Sequence, residues 1–209
     1  MHNSFSPEQL KDVEKSTVGH YEDNADSFWH GTKDHDVSQN YSALLSNFEQ
    51  GISLDILDFG CGPGRDVRYF KSLGHRPVGL DGSEKFCAMA RQYTGCEIIC
   101  QGFLKLDLPF AAFDAVFANA SLFHVPRQEL PNILSKLHAC LRSGGILFLS
   151  NPRGNGEEWS GDRYGNYLEF DEASACLQAA NFSILSHYYR PEGMPRNQQP
   201  WLAIVCKSA

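Results

Sequence analysis

Nothing in the chain approaches the roughly 18 consecutive apolar residues that a membrane-spanning helix requires. The segment from Met1 to Leu10 lacks the basic stretch and apolar run of a secretion leader. Both absences point to the cytoplasm and away from a membrane. Basic clusters are missing too: 18 Lys and Arg stand against 25 Asp and Glu, a formal net charge of −7. Phosphate backbones are held by grouped cations, so nucleic acid is disfavoured as a substrate and a small molecule is favoured. Paired metal-ligand spacings are also lacking. Cys96 and Cys100 lie four apart without a second Cys or His pair, and of the eight histidines only His30 and His35 are near neighbours, so no metal is expected. The seven cysteines are odd in number and mostly embedded in apolar segments, the pattern of reduced thiols acting as small hydrophobes. There is no internal repeat, low-complexity tract or interdomain linker, and 209 residues suffice to bury roughly 70% of the unfolded surface. The expectation is one domain held by its own core.

What is present divides at residue 51. Ser6-Pro7-Glu8-Gln9 reads as a helix start, with a serine cap, proline at the first helical position and Gln9 completing a capping box, and the helix is expected toward Lys15. From His20 to His30, Tyr21, Ala25, Phe28 and Trp29 share one face before Gly31 stops the helix. A third helix from Val37 to Gln50 carries Tyr41, Leu44, Leu45 and Phe48 and ends at Gly51. Residues 1–51 are thus expected to form a helical cap.

From Ser53 onward, short apolar runs alternate with helical segments, the pattern of a mostly parallel sheet covered on both faces. Strands are expected at 53–59, 76–81, 97–100, 113–119, 145–150, 182–189 and 201–207, with helices at 65–73, 83–93, 127–142 and 171–180. The last two strands have no helix between them and should form a β-hairpin with one antiparallel member. The fold class is α/β: a doubly wound seven-stranded sheet over 52–209.

Ligands of such sheets sit beyond the carboxyl ends of the strands where strand order reverses. The run Asp58-Phe59-Gly60-Cys61-Gly62-Pro63-Gly64 falls there, and glycines let the backbone approach a ligand closely. A nicotinamide-dinucleotide oxidoreductase competes for this loop, but its fingerprint wants a third glycine where Arg65 stands. Asp81, ending Val78-Gly79-Leu80-Asp81, can accept two ribose hydroxyls, a contact both classes share. Downstream come Phe113-Asp114, Asn119-Ala120-Ser121, Phe123-His124-Val125-Pro126 and Leu141-Arg142-Ser143-Gly144-Gly145. In this order the set closely resembles the motifs of class I methyltransferases, whose fold is Rossmann-like. The resemblance implies S-adenosylmethionine as cofactor. It would be held by Asp58, Gly60, Cys61, Gly62, Gly64 and Arg65 of the first loop, and by Asp81, Gly82 and Ser83 of the second. Gln101, Gly102 and Phe103 would lie at the adenine, Asn119 and Ala120 after the fourth strand, and Tyr21 and Thr32 would reach in from the cap. One departure is visible: the loop after the third strand often carries an acidic acceptor for the adenine amine, and here Gln101 or backbone has to serve.

Outside the sheet the chain is similar to a narrower family. Asn24-Ala25-Asp26-Ser27-Phe28-Trp29, Gly31 through Tyr41, Asn151-Pro152-Arg153-Gly154, Arg163-Tyr164-Gly165, and Tyr188 through Trp201 resemble the methyltransferase of ovothiol biosynthesis. That family methylates a ring nitrogen of 5-thiohistidine and often forms the C-terminal domain of 5-histidylcysteine sulfoxide synthase. The resemblance implies a stand-alone or separately expressed methyltransferase working with a separate sulfoxide synthase and lyase. Methylation of another small nucleophile, or cofactor binding without catalysis, remain alternatives because fold does not set substrate.

For an amino-acid substrate, Arg153 and Arg196 are the candidate carboxylate partners, against the alternative of exposed loop arginines. Asn119, Tyr164 and Tyr167 could hydrogen-bond the ring or the amine, or the tyrosines could pack a lid. His124 could act as general base, or order a helix-start loop. Tyr21 could reach the reacting centre, and Phe28 and Trp29 could wall the site or be simple core. His35, Asp36 and Gln39 could touch substrate, with Asp36 equally suited to capping a helix. The loop holding Gly154, Gly156, Gly161 and Gly165 is expected to be flexible enough to move.

Overall fold

The computed structural model describes residues 4–209. The part of the leader reading that rests on Met1 to Asn3 lies outside them. Ser6 caps α1 (Pro7–Asp23) as a full capping box: its hydroxyl accepts the Gln9 N–H, and its own N–H donates to Gln9 Oε1 at 2.8 Å. Such a cap contributes about 1 kcal/mol. The helix runs through Gly19 to Asp23, so the break expected near His20 falls instead at Asn24, before α2 (Ala25–Thr32). Buried Val13 and Thr17 lie on the inward face of α1. α3 (Ser38–Leu45) follows and is shorter than expected, ending before Gln50.

The seven-stranded sheet has the order β3-β2-β1-β4-β5-β9-β8. Its parallel part is β1 (Asp55–Phe59), β2 (Arg76–Asp81), β3 (Ile98–Cys100), β4 (Phe113–Asn119) and β5 (Leu141–Pro152). β9 (Trp201–Ser208) is antiparallel to both β5 and β8 (Phe182–Arg190), and a register shift at Ile184/Ser186 interrupts the outer edge. Helices α4 (Arg65–Ser72), α5 (Glu84–Thr94), α6 (Leu130–Cys140) and α7 (Phe170–Ala179) cover the faces close to the expected positions. Ile56, Leu57 and Phe59 of β1 are fully buried, because a central parallel strand is covered on both faces. Each such side chain contributes about 1.5–3 kcal/mol through burial.

One element corrects the sequence expectation. The glycine-containing stretch after β5 is a two-stranded ribbon, β6 (Gly156–Ser160) and β7 (Arg163–Tyr167), rather than a flexible loop. It is fastened to α1: the Tyr164 N–H donates to Thr17 Oγ1 at 3.1 Å, and Ser16 Oγ to the Asp162 carbonyl at 2.9 Å. Among the described residues no helix is long and apolar enough to cross a membrane.

Candidate active site

The carboxyl ends of β1, β2 and β4 open into a cavity of about 780 Å³, roofed by α1, α2 and the residues leading into α3. Gly60 and Gly62 adopt φ of 78° and 52°, a left-handed backbone that favours glycine. A side chain at Gly60 would collide with Ser121, whereas one at Gly62 would point toward Phe28 across the cavity. Gly64 has a different purpose. A Cβ there would sit 2.8 Å from Thr94 and 3.1 Å from Ala90, so its bareness lets α4 pack on α5, and it does not line the cavity.

Asp81 closes the loop from the next strand. Its two oxygens accept the N–H groups of Gly62 and Ser83, both at 2.9 Å. Burial lifts this carboxyl to about 6, against the backbone donors of Ser83, Gly62 and Gly82. Each oxygen keeps a lone pair for a hydroxyl donor. Asp58 is fully buried beneath the loop and away from the cavity, its Oδ2 without a hydrogen-bond partner. Burial, then the nearby Asp66 charge, raises its pKa well above the carboxylate range. Cys61 and Ser83 are also buried. Cys61 lines the cavity with its thiol pushed up by burial, and Ser83 caps α5 through the Phe86 N–H.

A second set of polar groups ties the cap to this loop. Arg65 pairs with Asp66 through Nε at 2.6 Å and through its terminal nitrogen at 2.9 Å, and donates to the Thr32 carbonyl at 3.0 Å. Asp66 also accepts from the Tyr41 hydroxyl and from Asn119 Nδ2. The Asn119 amide oxygen accepts from Asn40, which in turn accepts from the Tyr188 hydroxyl at 2.9 Å. Asn119 and Thr32 do line the cavity, but their polar atoms are largely committed to this network.

Tyr21 and His124 face each other at the far end of α1. The Tyr164 carbonyl can only accept, so His124 Nδ1, 2.7 Å away, carries the ring proton. His124 Nε2 is then the acceptor of the Tyr21 hydroxyl at 2.8 Å. Burial lowers the His124 pKa to about 4, against the bond to the Tyr164 carbonyl, and burial raises that of Tyr21, so both are neutral near pH 7. Phe28 and Phe86 pack against Tyr21 at 5.5 and 5.7 Å between ring centres, and Trp29 packs on Tyr93.

The remaining expected residues divide. Gly82, Gly102, Phe103 and Ala120 line the cavity, and Phe103 stacks on Phe59 at 4.2 Å. His35, Asp36 and Gln39 stand at its mouth. Asp36 also accepts the Ser38 N–H at 2.9 Å, although Val37 rather than Asp36 occupies the N-cap of α3, and Gln39 reaches Glu192 at 3.4 Å. Five do not line it. Arg153 is saturated by both Glu169 oxygens and by the carbonyls of Gln199 and Arg196. Arg196 lies over the Tyr189 ring on the exposed surface. The Tyr164 hydroxyl is buried against Glu157, and Tyr167 packs over Gly165. Gln101 turns away to accept the Asp107 N–H at 3.0 Å.

Three arginines line the cavity: Arg65, engaged by Asp66 and the Thr32 carbonyl, and Arg163 and Arg190. Arg163 begins β7 and interacts with Tyr21, and Arg190 ends β8, donating to Ser150 Oγ at 3.0 Å beside the Trp201 ring. The Nε atoms of both are buried without a hydrogen-bond partner. Burial lowers the Arg190 pKa. Both stand in motifs that carry the family resemblance, Arg163-Tyr164-Gly165 and Tyr188 through Trp201, but their direction into the cavity is set by β7 and β8.

Comparison with known proteins agrees with this geometry. Residues 56–145 match a family described as a methyltransferase domain. An uncharacterized methyltransferase of Synechocystis is 34% identical over 107 residues, half of each chain, so the match spans only half the length of that relative. One from Anoxybacillus flavithermus is 25% identical over 191 residues, covering 86% of this chain and 90% of that protein. Among solved structures, 1,6-didemethyltoxoflavin-N1-methyltransferase of Burkholderia thailandensis, with bound 1,6-didemethyltoxoflavin and S-adenosylhomocysteine, aligns with a TM-score of 0.80. It is 22% identical, over all of this chain and 93% of that one. The fold is the Rossmann-like methyltransferase fold. The matched segment is thus similar to methyltransferase domains, and the glycine cradle with Asp81 at its side has the groups that S-adenosylmethionine would need.

Proposed function

We propose that this chain is an S-adenosylmethionine-dependent N-methyltransferase that methylates a ring nitrogen of 5-thiohistidine to give ovothiol A. The observation that carries the reading is the pair of cavity-facing guanidiniums, Arg163 and Arg190, each with a buried unpartnered Nε–H. A buried donor left unpaired costs about 1–3 kcal/mol, which a carboxylate would offset through charge-assisted hydrogen bonds. A free amino acid supplies that carboxylate. The similarity of the cap and late loops to the ovothiol family supports the thiohistidine ring, and the Burkholderia thailandensis neighbour is named as an N1-methyltransferase.

When bound, the cofactor supplies an electrophilic methyl group for in-line displacement. The protein's task is orientation, because the thiolate of the substrate is a better nucleophile than its ring nitrogen. Arg163 and Arg190 would anchor the carboxylate end. Tyr21, whose own proton is given to His124, keeps a lone pair on Oη that can accept the second ring N–H and so aim the other nitrogen. His124 is a positioning residue: it fixes the Tyr21 hydroxyl, and its low pKa leaves it unprotonated. The aromatic wall of Phe28, Phe86 and Trp29 would exclude water. The test is transfer of labelled methyl from S-adenosylmethionine to 5-thiohistidine and to plain histidine. Transfer to thiohistidine is expected, and equal, negligible transfer to both removes the assignment.

A further inference from the structure

α1 presents Glu14, Thr17, Val18 and Tyr21 to the cavity, the spacing of one helix face. At 1.5 Å per residue, Glu14 and Tyr21 lie about 10 Å apart along the axis. Tyr21 stands at the reacting end beside His124, and Glu14 at the other end beside the loop that follows β3.

The stretch of that loop that lines the cavity, Gly102 to Leu104, has no acidic side chain, and Asp107 farther along does not line it; Gly102 occupies the middle of Gln101-Gly102-Phe103. Its backbone, at φ −69° and ψ 151°, would suit any residue, so conformation does not demand glycine. Space does. A Cβ on Gly102 would lie 2.5 Å from Glu14 Oε1 and 3.0 Å from Oε2. The carboxylate of the cap helix fills the place that a side chain of the loop would take. It is held there by the Leu104 N–H, which donates to Oε1 at 2.9 Å.

We propose that Glu14 recognises the adenine amine of the cofactor. Oε1 is anchored on Leu104, leaving Oε2 to accept the exocyclic N–H of a base packed between Val18 and Phe103. Base specificity, which the Rossmann-like core lacks in its own loop, is supplied by the cap. The inference rests on the cofactor reading above.

The test is calorimetric binding of S-adenosylhomocysteine and of S-inosylhomocysteine, which carries a 6-oxo group in place of the amine. Wild type is expected to favour the adenine ligand by about tenfold or more, since a carboxylate accepts from an amine and repels a carbonyl. Glu14→Gln, whose amide can donate, should abolish or invert that preference. Glu14→Ala combined with Gly102→Asp returns a carboxylate from the loop and should restore it. A Glu14 that only holds the loop through Leu104 would weaken both ligands equally. Retention of the wild-type preference in Glu14→Gln overturns the proposal. Failure of wild type to bind S-adenosylhomocysteine at all would instead overturn the cofactor reading, and the proposal with it.

Discussion

Arg65 donates to the carbonyl oxygen of Thr32 at 3.0 Å, so the residue that opens the helix behind the glycine loop also fastens the end of α2. The same network continues through Asp66, Asn119 and Asn40 to Tyr188, joining cap, cradle and the sheet edge. Asn40 is completely buried at its centre.

Asn40→Ala leaves the Asn119 oxygen and the Tyr188 hydroxyl without partners, at about 1–3 kcal/mol for each buried group. For a chain of this size the melting temperature should fall by on the order of 10 °C, followed by circular dichroism. A shift under about 2 °C would show that the network contributes little to stability.

Ionised Asp81 is the form suited to accepting ribose hydroxyls, and burial places its pKa at about 6. A proton therefore competes with the cofactor below that pH. Affinity for S-adenosylhomocysteine should be constant from about pH 7 to 8 and weaken by up to about tenfold per unit as pH falls through 6. Titration calorimetry across pH 5–8 checks this, and a flat profile would remove Asp81 from ribose recognition.

With His124 held neutral down to about pH 4, turnover at saturating cofactor should show no inflection between pH 6 and 8 from this residue. Tyr21→Phe removes the acceptor and should lower kcat about ten- to a hundredfold while leaving S-adenosylhomocysteine binding nearly unchanged. His124 also leaves a mark on stability. Its folded pKa lies below the ordinary 6.5, so its contribution is present above about 6.5 and lost as pH falls through about 4. The stability gap between wild type and His124→Gln should thus widen as pH rises from about 4 to 6.5 and stay constant above, as measured by urea unfolding.

Arg163→Gln and Arg190→Gln should each raise KM for the amino-acid substrate by about ten- to a hundredfold, with cofactor affinity unchanged. Arg153→Gln should leave KM alone and act only on stability, because its hydrogen bonds all go to the protein. Steady-state kinetics on the three variants separates the cavity arginines from one held by the protein itself.

Most of the sheet was legible because each strand is a short apolar run bounded by glycine or a helix signal, and a central strand such as β1 has little freedom to be anything else. The cofactor loop and Asp81 were legible for the same reason: their place is set by strand ends. The arginines were not. Arg153 and Arg196 look free in the sequence because Glu169 lies 16 residues from Arg153, and Tyr189 meets Arg196 only through the turn between β8 and β9. Arg163 and Arg190 sit at the ends of strands whose register decides which way they face. The ribbon β6–β7 was read as flexible from its glycines, although Glu157 to Ser160 and Arg163 to Tyr167 flank a turn at Gly161. Glu14 lies seven residues before Tyr21, and only the continuation of α1 past Lys15 puts the two on one helix face.

The single unbroken face of α1 has a consequence for inheritance and engineering. The glycine cradle lies within the matched segment 56–145, but Glu14, Tyr21 and Thr32 lie wholly outside it, in one contiguous stretch of chain. The portion most readily recognised as common to these proteins would be an open half-shell if expressed alone. On the reading proposed above, the cap brings its ligand contacts from this one stretch, and Arg163 and Arg190 complete the site from beyond residue 145.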